Sequence, residues 1–390
     1  MQVLHVQGKL SALCTSLNWD PKFFLNYFLP EKIKTQLTRR HFGIPSYKVK
    51  TSPVWEVVRL GLGIANLHGK FGRDDLWSPL DKVYLDVDRL ASRLVISDKP
   101  THVHCYEDSA MFTFTTAREF SIACHYELPI AYWRHLHGLL DEQIKKRPDW
   151  APTLTYNFDS KTKLERKDLE LELADTIFVP SKFVRDSLPT TILNKKNVII
   201  APFGTPCGDV TIEFEKPAPS PIRFLFVGSM GQRKGLADLL DAFRLLKRSD
   251  IELVILGTLQ MPMKFYRSAY GGFQYEQPRP HAGVLSVMKS CHVLVLPSIV
   301  EGRALVLQEA MSQGLALIVT KNTGGEDLVI EGVTGHLVPP SNPMVLAETI
   351  SNVADNPKRV LEMGRFAQKH ARSYTWRNYT SIIMQNYLMN

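Results

Sequence analysis

Pro297–Thr320 reads PSIVEGRALVLQEAMSQGLALIVT. The run His292–Ser298 (HVLVLPS) leads into it as a continuous apolar strand. A helix follows through Glu309 and Met311, and Ala316–Thr320 (ALIVT) forms a second apolar strand. Strands apolar on both faces and joined by a helix are parallel strands covered on both sides. Sheets of that kind bind ligands at the carboxyl ends of their strands, so the turn holding Glu301 and Gly302 is the first place to look for chemistry.

The same rhythm extends outward. Upstream, Arg223–Gly228 (RFLFVG) precedes a helix over Leu236–Lys247, and Ile251–Gly257 (IELVILG) is the next strand. In the first half the expected strands are Val3–Val6, His102–Tyr106, Ser121–Glu127, Thr176–Pro180 and Val198–Pro202, with Lys161–Ala174 as a charged-faced helix. Phe203–Pro221 holds four prolines and no helical period, and it reads as a linker. Tyr374–Met389 is a closing helix bearing Trp and Tyr. The expected architecture is α/β, two Rossmann-like domains facing across a cleft. Residues 1–205 form the acceptor-side domain and 206–373 the donor-side domain; 374–390 form a helix packing back on the first.

The chain's 390 residues, 44% apolar, suffice for two cores. A net charge of +8 is too diffuse for a nucleic-acid binder. Residues 21–50 stand apart. They hold seven basic groups against Glu31 alone, together with Phe23, Phe24, Tyr27, Phe28 and Phe42. Such a segment suits either an anionic membrane surface or an ordinary solvated face. Five scattered cysteines (Cys14, Cys105, Cys124, Cys207, Cys291) form no CxxC pair, which argues for reduced thiols. With no signal pattern and no membrane-length apolar run, the expectation is a cytoplasmic protein, peripheral at the inner membrane face at most.

Glu301 lies in the turn after a buried strand, and Glu309 lies eight residues on, in the following helix. A loop carboxylate beside free amides can hold sugar hydroxyls, and a carboxylate two turns later can chelate a ribose diol; the bland reading is two surface glutamates. The glycine-rich turn Gly228–Gly235 (GSMGQRKG) brings Arg233 and Lys234 to a helix start, a combination suited to a diphosphate.

With these residues in view, PS-x-x-EG followed by QEAM-x-x-G and TGGEDLVIEGVTGHLVPP resembles the donor domain of family 4 glycosyltransferases, whose Glu-x7-Glu motif anchors a nucleotide sugar in the GT-B fold. FVGSMGQRKG, ADTIFVPS (Ala174–Ser181) and APFGTP (Ala201–Pro206) resemble further segments of that family. The resemblance implies a retaining, metal-independent glycosyltransferase of the hexosyl-transferring class. It would use no cofactor and would take a UDP- or GDP-sugar as donor and a saccharide, lipid-linked or small-molecule acceptor. Donor contacts are then expected at Gly228, Ser229, Gly302, Arg303, Ala304, Leu305 and Glu309, with Glu301, Arg233, Lys234 and His125 catalytic. The family's usual Arg after the first donor-turn glycine is Ser229 here, and its aromatic and glycine after Glu-Gly are Arg303 and Ala304.

On the acceptor side His125, expected at a strand end in SIACHYELPI, stands for the family's histidine, with Tyr126 as the neighbouring alternative. Gly8, His104 and Glu127 are further acceptor-side candidates, and Asp108-Ser109 is a candidate helix cap. Asp86-x-Asp88 mimics a metal motif but falls in an expected helix, YLDVDRLASRL, and His102-x-His104 and His135-x-His137 have no third ligand at metal-site spacing. An epimerase- or phosphorylase-like protein of the same fold, or a noncatalytic sugar-nucleotide scaffold, is the alternative.

Overall fold

The computed structural model describes residues 2–22, 24–38, 40–64, 79–154, 159–205 and 221–388. Most of the expected linker, Cys207, Phe23, Arg39 and the expected boundary after residue 205 therefore lie partly or wholly outside the described residues.

The strands run in order β1 (Leu13–Thr15), β2 (Val49–Thr51), β3 (His102–Tyr106), β4 (Ala123–Glu127), β5 (Thr176–Val179), β6 (Asn197–Ile200), β7 (Ile222–Val227), β8 (Ile251–Leu256), β9 (Phe273–Glu276), β10 (Val293–Leu296), β11 (Ala316–Val319) and β12 (Gly335–Leu337). They make a four-stranded sheet β3-β4-β5-β6, a six-stranded sheet β12-β11-β10-β7-β8-β9 and a small pair β1-β2. Every ladder is parallel. Two α/β units result, each Rossmann-like.

The second unit has the larger core, in which β10 and β11 are buried along their whole length between helices on both faces. Each unit also lends residues to the other. Trp150 packs in the second core, whereas Ile299 and Val300, from the loop after β10, pack in the first. The helix Trp376–Leu388 returns to the first unit, where Ile383 meets Phe178 of β5 and Ala201.

Two local expectations are corrected. Gln2–Val6 is a helical turn rather than a strand. It has no neighbouring strand, so its carbonyls are satisfied locally: Gln7 N donates to Val3 O and Lys9 N to Leu4 O, and Gly8 ends the turn. Asp108-Ser109 does not cap the helix Met111–Glu119. Asp88 does so from a distant helix, its carboxylate accepting from Phe112 N at 2.7 Å and Thr113 N at 2.8 Å. That contact gives the Asp86-x-Asp88 pair a structural use. Within residues 21–50, Arg40 pairs with the buried Glu56 and Lys48 donates to Leu10 O, while Phe24, Tyr27 and Phe28 are exposed. Among the described residues no helix is long and apolar enough to cross a membrane.

Candidate active site

The loop after β10 is held on three sides. Ile299 N donates to Arg233 O, Glu301 N to Asn322 O and Ala304 N to Thr323 O, while Asn322 Nδ2 reaches Ile299 O at 2.7 Å. The clamp therefore comes from the turn after β7 and the turn after β11, both at carboxyl ends of buried parallel strands. On the fourth side sits the first unit. Ser181, just after β5, donates its hydroxyl to Gly302 O at 2.7 Å. A Cβ on Gly302 would stand 1.6 Å from Pro129 O, so only glycine allows this backbone approach between units.

Within this frame the Glu301 carboxylate, 8% exposed, lies between two cations. Lys234 Nζ is 2.7 Å from its Oε1 and Arg233 Nη1 is 3.0 Å from its Oε2. The turn that carries these cations is close-packed. Gly235 has φ of +71°, and a Cβ there would lie 2.0 Å from Pro297 O. Gln232 N donates to Thr153 Oγ1, a second seam between the units. The helix Leu305–Ser312 begins beside this cluster at Ala304 with no side-chain cap, leaving first-turn amides for an anion. Glu309, on that helix, accepts from His281 Nε2 at 3.1 Å; His281 itself opens the helix His281–Lys289 and was not expected. Gly228 and Ser229 lie half-buried in the first turn.

Arg303 has partners of its own. Its side chain is fully buried and its guanidinium is committed to Gln308 (2.8 Å), Gly324 O (3.1 Å) and Asp327 (2.8 Å), over the Tyr374 ring. Gln308 in turn donates to Phe203 O and Thr205 Oγ1, and Thr205 N donates to Tyr374 O. Arg303 thus ties the donor-side loop to the two segments that pass between the units. Local sequence gave no sign of this, because Asp327 and Tyr374 lie on later segments and Gln308 in turn reaches back about a hundred residues to Phe203 and Thr205.

The acceptor-side candidates converge, but on one another. His125 is the middle residue of β4, not its end, opposite His104 of β3. It is fully buried, with Nε2 3.0 Å from His102 Nδ1 and its ring 4.6 Å from that of Tyr387. Burial first, then the neighbouring His104 and His102, push its pKa down to about 3. His104 bridges Glu127 (2.9 Å) and Tyr387 (2.6 Å), and Glu127 also accepts from Tyr379. All of these groups meet the helix Trp376–Leu388. Tyr126, by strand alternation, faces the other way and donates to Glu170. Beside β3's carboxyl end, Glu107 and Asp108 form a charged cluster with Lys163, Arg166 and Lys167. Burial raises the Glu107 carboxyl to about 7, against the pull of Lys167. Among the described residues no three His, Cys, Asp or Glu side chains converge in a metal-holding group.

Comparison with known proteins accords with this geometry. Residues 209–370 match the family model described as glycosyl transferases group 1. A D-inositol 3-phosphate glycosyltransferase of Paenarthrobacter aurescens is 27% identical over 43% of this chain and 44% of its own length. An uncharacterized glycosyltransferase of Methanocaldococcus jannaschii is 25% identical over 52% and 56%. The chain thus spans about half the length of these relatives. Among solved structures, sucrose-phosphate synthase from Thermosynechococcus elongatus superposes with TM-score 0.60 at 18% identity, over 80% of this chain and 78% of that one. Anabaena HepE in complex with UDP and glucose superposes with TM-score 0.58 at 15% identity, over 93% and 90%. The fold is GT-B, and residues 209–370 are similar to glycosyl transferases group 1.

Proposed function

We propose that this chain is a retaining glycosyltransferase that moves a sugar from a UDP- or GDP-sugar to an acceptor hydroxyl and needs no divalent ion to do so. One observation carries the reading: Glu301 lies between Arg233 and Lys234, beside the uncapped start of the helix Leu305–Ser312 and at the seam between the two units.

When the bond from the sugar's anomeric carbon to the β-phosphate oxygen breaks, negative charge grows on the leaving diphosphate. Arg233, Lys234 and the uncapped first-turn amides of the helix Leu305–Ser312 would stabilise it there. Glu301 would share those cations and orient the sugar hydroxyls, and Glu309 would hold the ribose. The acceptor oxygen bonds to the anomeric carbon from the face the phosphate leaves, and its proton passes to the leaving phosphate oxygen. Enclosure between the two units would keep water from taking the sugar.

His125, sunk under the C-terminal helix, is better read as support for that helix than as a sugar contact. Residues 1–205, 206–373 and 374–390 remain the proposed acceptor unit, donor unit and crossing helix. The acceptor in the bacterial relatives' names is an inositol phosphate. The match to these relatives covers about half of either chain, so that acceptor is not carried over.

The reading is tested by incubating the folded protein with UDP-, GDP- and ADP-sugars in EDTA and following release of the nucleoside diphosphate. Slow donor hydrolysis that survives EDTA is expected. A folded protein that neither binds nor turns over any of these donors would sink the enzyme reading in favour of a scaffold.

A further inference from the structure

The first unit and the helix Trp376–Leu388 together line a half-open cavity of about 1130 Å³, larger than most small-molecule sites. Leu4, Leu10 and Leu13 form one wall and Val87, Leu94 and Val95 of the helix Pro79–Asp98 form another. The third wall is β3, which pairs with β4 alone among the described strands, so its outer backbone edge faces the space. Tyr106 and Glu107 bring polar atoms to β3's carboxyl end. That end adjoins the donor loop. Glu107 N donates to Glu127 O, and two residues beyond Glu127 comes Pro129, packed on Gly302.

We infer that this cavity takes the apolar chain of an amphipathic acceptor, with the acceptor's hydroxyl-bearing head at the Tyr106–Glu107 end, facing the donor loop. The inference rests on the glycosyltransferase reading and narrows its acceptor to a long-chain amphiphile. Apolar walls ending in the Tyr106 hydroxyl and the Glu107 carboxyl match such a molecule along its length, and match a wholly polar acceptor only at one end. The same lobe carries a surface on which such a chain would arrive. Phe24, Tyr27 and Phe28 are exposed on a segment that also bears the exposed Lys22 and Lys50. That segment is joined to the cavity wall, since Trp19 N donates to Arg40 O and the wall residue Phe42 accepts from Gln2 Nε2 at its carbonyl. Exposed aromatics among cations suit the interface of an anionic bilayer.

The test is calorimetric titration of the full chain with n-dodecyl-β-D-glucoside below its micelle concentration and with methyl-β-D-glucoside, each repeated after Ala91→Trp, which puts an indole across the apolar wall. UDP is titrated in parallel. The dodecyl compound should bind about 100-fold more tightly, the effect of burying only a few methylenes. Ala91→Trp should remove that gain and leave UDP affinity unchanged. If Ala91→Trp does not fold, Leu94→Phe serves, with a smaller loss expected. Equal affinities for the two glucosides, or a dodecyl gain indifferent to both substitutions, would overturn the inference. UDP binding with no dodecyl gain would overturn it alone; dodecyl binding without UDP binding would overturn the donor reading and leave the chain-binding cavity supported.

Discussion

The two units hold their polar groups in opposite ways. In the second, Glu301, Arg233 and Lys234 sit on short loops whose backbones are pinned by neighbouring loops, so the side chains stay at the seam. In the first, His102, His104, His125 and Glu127 lie along two adjacent strands and are covered by Tyr379 and Tyr387 of a helix that arrives from the far end of the chain. Strand-end polar residues announce a site only where nothing later in the sequence covers them.

The contrast can be broken most forcefully at Gly302, where the units touch. Gly302→Ala places a Cβ on Pro129 O, and one unit must shift. A loss on the order of 4 kcal/mol in denaturant unfolding is expected, with donor turnover lost as well. Unchanged stability would mean that the units do not meet there.

Arg303→Ala removes the tie between the donor loop and the crossing segments and leaves Asp327 and Gln308 short of partners. A cost of about 3 kcal/mol is expected. Arg303→Lys should recover only part of it, because a lysine cannot reach Gln308, Gly324 O and Asp327 from one planar group. Full recovery by lysine would reduce Arg303 to a point charge.

The histidine cluster is sharpened by pH. His125 titrates near 3 in the fold but near 6.5 in the open chain, so between those values the unfolded state binds more protons. Stability then rises with pH and is lost as pH falls below 6.5. Glu107 and Glu170, both raised to about 7, act in the opposite sense as pH rises from the usual carboxylate range toward 7. The informative quantity is therefore wild type against His125→Phe. Between pH 6.5 and 5 the wild type should lose about 2 kcal/mol more than the variant. Parallel pH profiles would show an accessible, protonatable His125 and return it to the cleft.

These outcomes bear on what the residues disclose without coordinates. β10, its loop, the helix holding Glu309 and β11 follow from apolar runs and one glycine turn, because that unit is built from neighbours in sequence. The placement of Arg303 and of His125 does not follow. Each is decided by partners on segments that local periodicity cannot pair with it: Asp327 and Tyr374 for one, Tyr387 for the other. Val3–Val6 looked like a strand because it is apolar, yet a strand needs an adjacent strand and this segment has none. β9 and β12 escaped notice because FQYE and GHL are short, mixed runs at the two edges of the sheet.

A smaller effect is expected at Glu309. Its carboxylate meets His281, and it lies on the helix that starts beside Glu301. Glu309→Ala should weaken UDP binding about tenfold, the loss of one or two hydrogen bonds to a charged group, with little change in stability. An unchanged affinity would remove Glu309 from the ribose.

The measurement closest to the centre is calorimetric titration of UDP and GDP into the wild type and Lys234→Met in EDTA. If Lys234 and Arg233 receive the diphosphate beside Glu301, one nucleotide binds the wild type and its affinity falls at least about tenfold in the variant, with melting temperature preserved. Equal affinity in the two proteins, or no binding to a folded wild type, would contradict the assignment of this cluster as the donor site.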